Sequence, residues 1–188
     1  MARNPSFPIV NVQETPKTRW RAVPYTGGRG LDLGCGGCRL FDTEFCVGID
    51  NGSDVDIGAQ IAPNMSADAK ELSIFGSGQW DYVYSSHLLH YFPYEETHKI
   101  VREWMRVIKT GACVVLYLPD ERLYPKVAEP ARGINGEPMA HPKQKWNVNY
   151  DRVVELMEKT TWNWDLCDYQ VCERDDEYSL FFAFRKLK

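Results

Sequence analysis

The sequence predicts an α/β domain with a doubly wound, mostly parallel sheet that ends in an antiparallel hairpin. Three observations carry that expectation. Short apolar runs alternate with helical patterns along the chain, a glycine-rich turn directly follows the first of those runs, and two late runs are joined by a tight acidic link.

Residues 1–28, with Pro5, Pro8, Pro16 and Pro24, read as an irregular lead-in holding one short helix near residues 17–23. Gly30–Leu33 is a brief apolar strand, followed by the glycine turn and a short helix or turn over residues 39–45. Cys46–Asp50 is a second apolar run that closes on an acid, as suits a strand buried on both faces of a parallel sheet. The Gly-, Asp- and Asn-rich stretch after it leaves room only for a short helix and a third strand near residues 65–67.

Trp80–Ser86 is a clear strand. Residues 95–110 place Ile100, Val101, Trp104, Val107 and Ile108 at helical spacing, with acids first and Lys109-Thr110-Gly111 last. Residues 113–119 form another buried strand, stopped by Pro119. Residues 121–149 are rich in proline and glycine, a length that suits a lid over a site. A helix over residues 151–160 and strands over 164–172 and 178–186 complete the chain, the acidic turn between the strands making them antiparallel.

The 188 residues suit one domain, 1–188, with residues 1–28 as lead-in and 121–149 as a substrate lid. A formal net charge of -4 without a basic face disfavours a nucleic-acid partner. No apolar run is long enough for a signal peptide or a membrane span, so the expected location is cytoplasmic. Six cysteines are too few for a disulfide framework in a chain of this length, and reduced thiols are expected.

The stretch LDLGCGGCRLF holds two patterns at once. Cys35 and Cys38 have the C-x-x-C spacing of redox and zinc sites, but no second pair of Cys or His accompanies them to complete the ligand set of a metal. Asp32-x-Gly34-x-Gly36 has the spacing of a nucleotide-binding turn, where residues without Cβ let the backbone approach a ligand. A dinucleotide fingerprint needs a third small residue at position 39, which is Arg39, so a nicotinamide-dependent oxidoreductase is the weaker reading.

The acid-x-Gly-x-Gly turn, Asp50 at the end of the second strand, Ser66-Ala67-Asp68, the run from Trp80 through His90, and the helix and turn from Arg102 to Gly111 resemble, in that order, the class I S-adenosylmethionine-dependent methyltransferases. The likeness is to small bacterial or phage-type members with a methyltransferase-domain-11 pattern, and it covers residues 30–120. Cys38 departs from the family's last glycine, and the stretch after Asp50 is short for a full helix.

The resemblance implies a Rossmann-like, seven-stranded sheet whose cofactor is S-adenosylmethionine. It implies that Asp50, with Asn51, binds the ribose hydroxyls, and that Asp68, with Ala67, meets the adenine. The turn Leu33-Gly34-Cys35-Gly36 would then approach the amino-acid moiety, with Asp32 recognising its ammonium, and Ser85, Ser86 and His87 would lie beside the sulfonium. His87 and His90, and His141 from the lid, are the candidate bases, although either of the first two could instead cap backbone or pack. Tyr124, Trp146 and Tyr150 suit core packing as well as acceptor contact.

The expected activity is methyl transfer to a small-molecule acceptor, such as a hydroxyl of a sugar or related metabolite. A module that binds S-adenosylmethionine or S-adenosylhomocysteine without catalysis, as a partner subunit, is the reading from a different class.

Overall fold

The computed structural model describes residues 14–52, 63–123, 131–132, 138–139, 144–174 and 176–188. Its main sheet has seven strands: β1 (Gly30–Leu33), β2 (Cys46–Asp50), β3 (Met65–Ser66), β4 (Trp80–Ser86), β5 (Ile108–Pro119), β8 (Trp164–Cys172) and β9 (Ser179–Lys186). The short strands β6 (Ala131–Arg132) and β7 (Pro138–Met139) pair with each other, antiparallel, outside that sheet.

The sheet order is β3-β2-β1-β4-β5-β9-β8. The first five strands are parallel to their neighbours, and β9 runs antiparallel to both β5 and β8. From β1 the chain winds outward to β3 and then returns to the other side of β1, so strand order reverses between β1 and β4. A crevice opens at the carboxyl ends of strands at such a point.

The strands are apolar because both faces of the sheet are covered. Along β5, Val114, Leu116 and Leu118 enter one core, while Cys113, Val115 and Tyr117 enter the other. Helices α2 (Tyr94–Val107) and α3 (Tyr150–Glu158) cover the first face, with Ile100, Val101, Trp104, Val153, Leu156 and Met157 buried against it. Helix α1 (Glu14–Ala22) belongs to the second face, where Ala22 packs with Tyr82, Phe181 and Ala183. Arg21 fastens it there, its Nη2 donating to Glu177 Oε2 at 2.9 Å.

Two boundaries differ from the sequence expectation. Helix α1 starts before residue 17 and passes into a 3-10 turn at Val23–Tyr25. Of the helix or turn expected over residues 39–45 the chain forms the turn, where Arg39 reaches Asp42 Oδ1 at 2.6 Å and Asn64 Oδ1 at 2.7 Å. Helix α2 stops at Val107 and β5 begins at once, Ile108 pairing with Trp80. The buried Lys186 ammonium makes that abrupt change possible by donating to the Met105 and Ile108 carbonyls at 2.8 and 2.9 Å. Of the expected lid, residues 124–130, 133–137 and 140–143 lie outside the described residues.

Trp104 joins α2 to the rest of the domain. Its fully buried ring sits in the larger core, and its Nε1–H donates to the Ala69 carbonyl at 2.7 Å. Trp104→Ala is expected to lower stability by about 3–5 kcal/mol in urea unfolding, the range for truncating a buried large aromatic residue. An effect below about 1 kcal/mol would show that α2 is held by other contacts.

Candidate active site

After Leu33 the chain turns through Gly34 at φ +73° and Gly36 at φ +51°, both in the left-handed region that favours glycine. Gly34 also meets a steric demand, since a Cβ there would stand 2.7 Å from a methyl carbon of Leu88. Two carboxylates hold the turn. Asp32, 1% exposed, accepts the Leu40 N–H at 2.6 Å. Asp50 accepts the Gly36 N–H at 2.9 Å and the Gly52 N–H at 2.7 Å. Three further N–H groups are also used inside the protein. Gly34 and Cys35 donate to the Ile49 carbonyl at 2.8 and 3.3 Å, and Cys38 donates to that of Cys35 at 3.0 Å.

The two cysteines of the turn are thiols packed into its underside. Cys35 Sγ and Arg39 Cδ each lie 2.8 Å from where a Cβ of Gly48 would stand, so the missing side chain on β2 makes room for both. Cys38 Sγ receives a long hydrogen bond of 3.5 Å from Arg19. Burial raises both thiols above the ordinary cysteine range, which opposes the thiolate a metal would need. Among the described residues no group of three or more Cys, His, Asp or Glu could hold a metal ion.

A cleft of about 280 Å³ opens at the carboxyl ends of β1, β2 and β3. Five of the residues expected to bind the cofactor line it: Gly34, Asp50, Asn51, Ala67 and Asp68. Ala69, Leu88, Tyr91, Phe92 and Lys145 complete the lining and were not anticipated. Leu88 lies inside the run from Trp80 through His90, and Ala69, Tyr91 and Phe92 lie one or two residues beyond recognised motifs, a signal that could have found them. Lys145 lies within the stretch 121–149 expected as a lid, a signal too broad to single it out.

The other expected residues support the cleft without lining it. Asp32 lies beneath the turn, and the Leu33 side chain is fully buried core. Ser85 Oγ–H donates to the Leu33 carbonyl at 3.0 Å and joins the ends of β4 and β1. Ser86 is the last residue of β4 and lies outside the lining, as do Cys35 and Gly36.

The residues present suit an adenosine with its ribose at Asp50. Each Asp50 oxygen accepts one backbone N–H, which leaves each a further lone-pair direction for a hydroxyl donor.

His87 follows β4 at φ +49°, a conformation rare for a residue with a Cβ and one that recurs at functional sites. Its N–H donates to the Tyr117 carbonyl at 2.8 Å, and its Nε2 lies 2.8 Å from Ser179 Oγ and 3.9 Å from Glu14 Oε2. The rings of His90, Tyr117 and Tyr178 surround it at 5.8, 5.5 and 5.5 Å. His90 is 1% exposed, and its carbonyl accepts the Lys145 N–H at 2.8 Å. His141 lies outside the described residues. Glu14, unmarked by any sequence motif, comes from α1, and burial raises its carboxyl despite a 2.9 Å contact with Lys17.

Residues 31–116 match a sequence family described as a methyltransferase domain. Over those residues the chain carries a methyltransferase domain. No curated protein matches it significantly. Its fold is similar to that of an S-adenosylmethionine-dependent methyltransferase from Archaeoglobus fulgidus, at TM-score 0.64 and 17% identity over 92% of each chain. A second such enzyme, from Mesorhizobium loti, gives TM-score 0.63 at 17% identity, covering 93% of this chain and 98% of that one. A magnesium protoporphyrin IX methyltransferase from Synechocystis PCC 6803, solved with bound S-adenosylmethionine, gives 0.59 at 12% identity, covering 94% and 79%.

The cofactor of this methyltransferase is S-adenosylmethionine, and Asp50 is the residue on which its affinity should turn. Asp50→Ala removes both hydroxyl acceptors and is expected to weaken S-adenosylhomocysteine binding at least about tenfold in calorimetric titration. Unchanged affinity would place the ribose elsewhere.

Asp32 yields a pH prediction. Burial pushes its carboxyl up to about 7, against the opposing pull of the Leu40 N–H and of Arg39. A carboxyl with a raised folded-state pKa binds more protons folded than unfolded between about pH 4 and about pH 7, so its stabilising contribution is full below that window and is lost as the pH rises through it. Asparagine still accepts the Leu40 N–H but does not titrate. The fall in urea midpoint between about pH 5 and about pH 8 is therefore expected to be smaller in Asp32→Asn than in the wild type. Equal falls would mean that Asp32 is ionised throughout.

Proposed function

We propose that this methyltransferase acts in the cytoplasm on a small-molecule acceptor, a hydroxyl of a sugar or related metabolite, with His87 as general base. The observation that carries the reading is the placement of His87. It stands one residue before Leu88, which lines the cofactor cleft, and it is held in a strained conformation with its ring against Ser179 and Glu14. A thioether acceptor would need no base, whereas a hydroxyl must lose its proton as its oxygen takes the methyl group.

Bound S-adenosylmethionine supplies an electrophilic methyl group whose sulfur leaves with the bonding electron pair. The chain's own residues do the rest. Asp50 and the glycine turn fix the adenosine, and His87 takes the acceptor proton, with the Glu14 carboxyl 3.9 Å away to favour the resulting imidazolium. The net charge of -4, with no basic face, supports a small acceptor over a nucleic acid. No described helix is long and apolar enough to cross a membrane.

The test is formation of S-adenosylhomocysteine over a panel of hydroxylated small molecules, amines and short RNAs. Hydroxylated compounds are expected to give turnover. His87→Ala is expected to bind S-adenosylhomocysteine like the wild type while losing turnover about a hundredfold or more, the usual contribution of a general base. Turnover confined to RNA, or undiminished in His87→Ala, would refute the proposal.

A further inference from the structure

We infer that Lys145, from the segment leading into α3, binds the carboxylate of the cofactor's amino-acid end. The inference rests on S-adenosylmethionine being the cofactor and adds a contact outside the glycine turn.

The cofactor brings an ammonium and a carboxylate at one end and a neutral adenosine at the other. A turn of this type ordinarily offers its N–H groups to an anionic ligand. In this chain the N–H groups of Gly34, Cys35, Gly36 and Cys38 are already taken, by the Ile49 carbonyl, Asp50 Oδ2 and the Cys35 carbonyl. Of residues 34–38 that leaves the Gly37 N–H, one donor for a carboxylate's two oxygens, so a cation from elsewhere is needed to complete its partners. The cleft's two acids, Asp50 and Asp68, repel it, and the Lys70 ammonium is paired with Asp68 at 3.5 Å. Among the described residues Lys145 is the one cation that lines the cleft, and its side chain makes no ion pair with any of them.

Its position is built. The Lys145 N–H donates to the His90 carbonyl at 2.8 Å, which sets it beside the histidines at the end of β4. On one side Gln144 Nε2 donates to the Trp146 carbonyl at 2.9 Å; on the other the buried Trp146 ring packs on Tyr94 at 5.1 Å. Asn149 then caps α3 by accepting the Arg152 N–H at 2.9 Å. A flexible cation on a fixed backbone at the rim can reach a carboxylate without rearranging the fold. The amino-acid end of the cofactor thus joins the glycine turn to the segment that enters α3.

Two nucleosides separate this contact from adenosine recognition. S-adenosylhomocysteine keeps the amino-acid group, and 5′-methylthioadenosine lacks it. Calorimetric titration of the full chain is expected to show that Lys145→Ala binds S-adenosylhomocysteine at least about tenfold more weakly, with 5′-methylthioadenosine affinity unchanged. Lys145→Arg, which keeps the charge, should retain most of the wild-type affinity for both. An Ala variant that loses nothing, or that loses affinity for both nucleosides equally, would overturn the assignment. A wild-type protein that bound neither nucleoside would overturn the cofactor assignment and this contact together. Because Lys145 is exposed, the Ala variant should keep the wild-type urea midpoint.

Discussion

The hydrogen bond from the Gly36 N–H to Asp50, at 2.9 Å, is the constraint on which the site depends. It closes the turn after β1 onto the end of β2, so the two strand ends that must hold one ligand are fixed to each other before any ligand arrives. Asp32 works from the other side of the same turn, gripping Leu40 at 2.6 Å. One carboxylate is fully buried and destabilised as an anion; the other lines the cleft and has capacity left. Similar residues on adjacent strands thus take different tasks because their solvation differs.

The reversed strand matters for the surroundings of His87. Because β9 runs antiparallel to β5, its first residue, Ser179, comes level with Pro119 at the carboxyl end of β5 and so reaches the His87 ring. The hairpin turn before it carries Glu177, whose buried pairing with Arg21 positions α1 and sets Glu14 opposite His87. Lys17 adds a second tie, to Asp176 at 2.9 Å. A helix at the start of the described chain therefore reaches His87 through contacts with residues near its end. Losing the Arg21–Glu177 pair would strand a buried charge as well as release the helix.

The strands and the site were legible in the sequence to different degrees. Runs such as Cys46–Asp50 and Trp164–Cys172 were readable because hydrophobic patterning is local, and strand and pattern coincide there. The boundary between α2 and β5 was not. Lys109-Thr110-Gly111 looks like a helix end, but Lys186, almost eighty residues away, caps the carbonyls three residues earlier. The part of the cleft lined by Gly34, Asp50 and Asp68 was legible because each of them terminates a strand or follows it closely, and strand order converts those positions into neighbours. Asp32 and Ser85, expected at the ligand, also bond backbone groups, which depends on which way a side chain leaves its strand. Glu14 was invisible and Lys145 was marked only as part of the expected lid, since only the folded chain brings them to His87 and to the cleft.

A crystal structure of the full chain with S-adenosylhomocysteine tests the central claim most directly. The account predicts density along the carboxyl ends of β1, β2 and β3, with both ribose hydroxyls on Asp50, the adenine at Ala67 and Asp68, and the sulfur directed toward His87. Density that left Asp50 without a hydroxyl partner, or that lay away from the glycine turn, would contradict it.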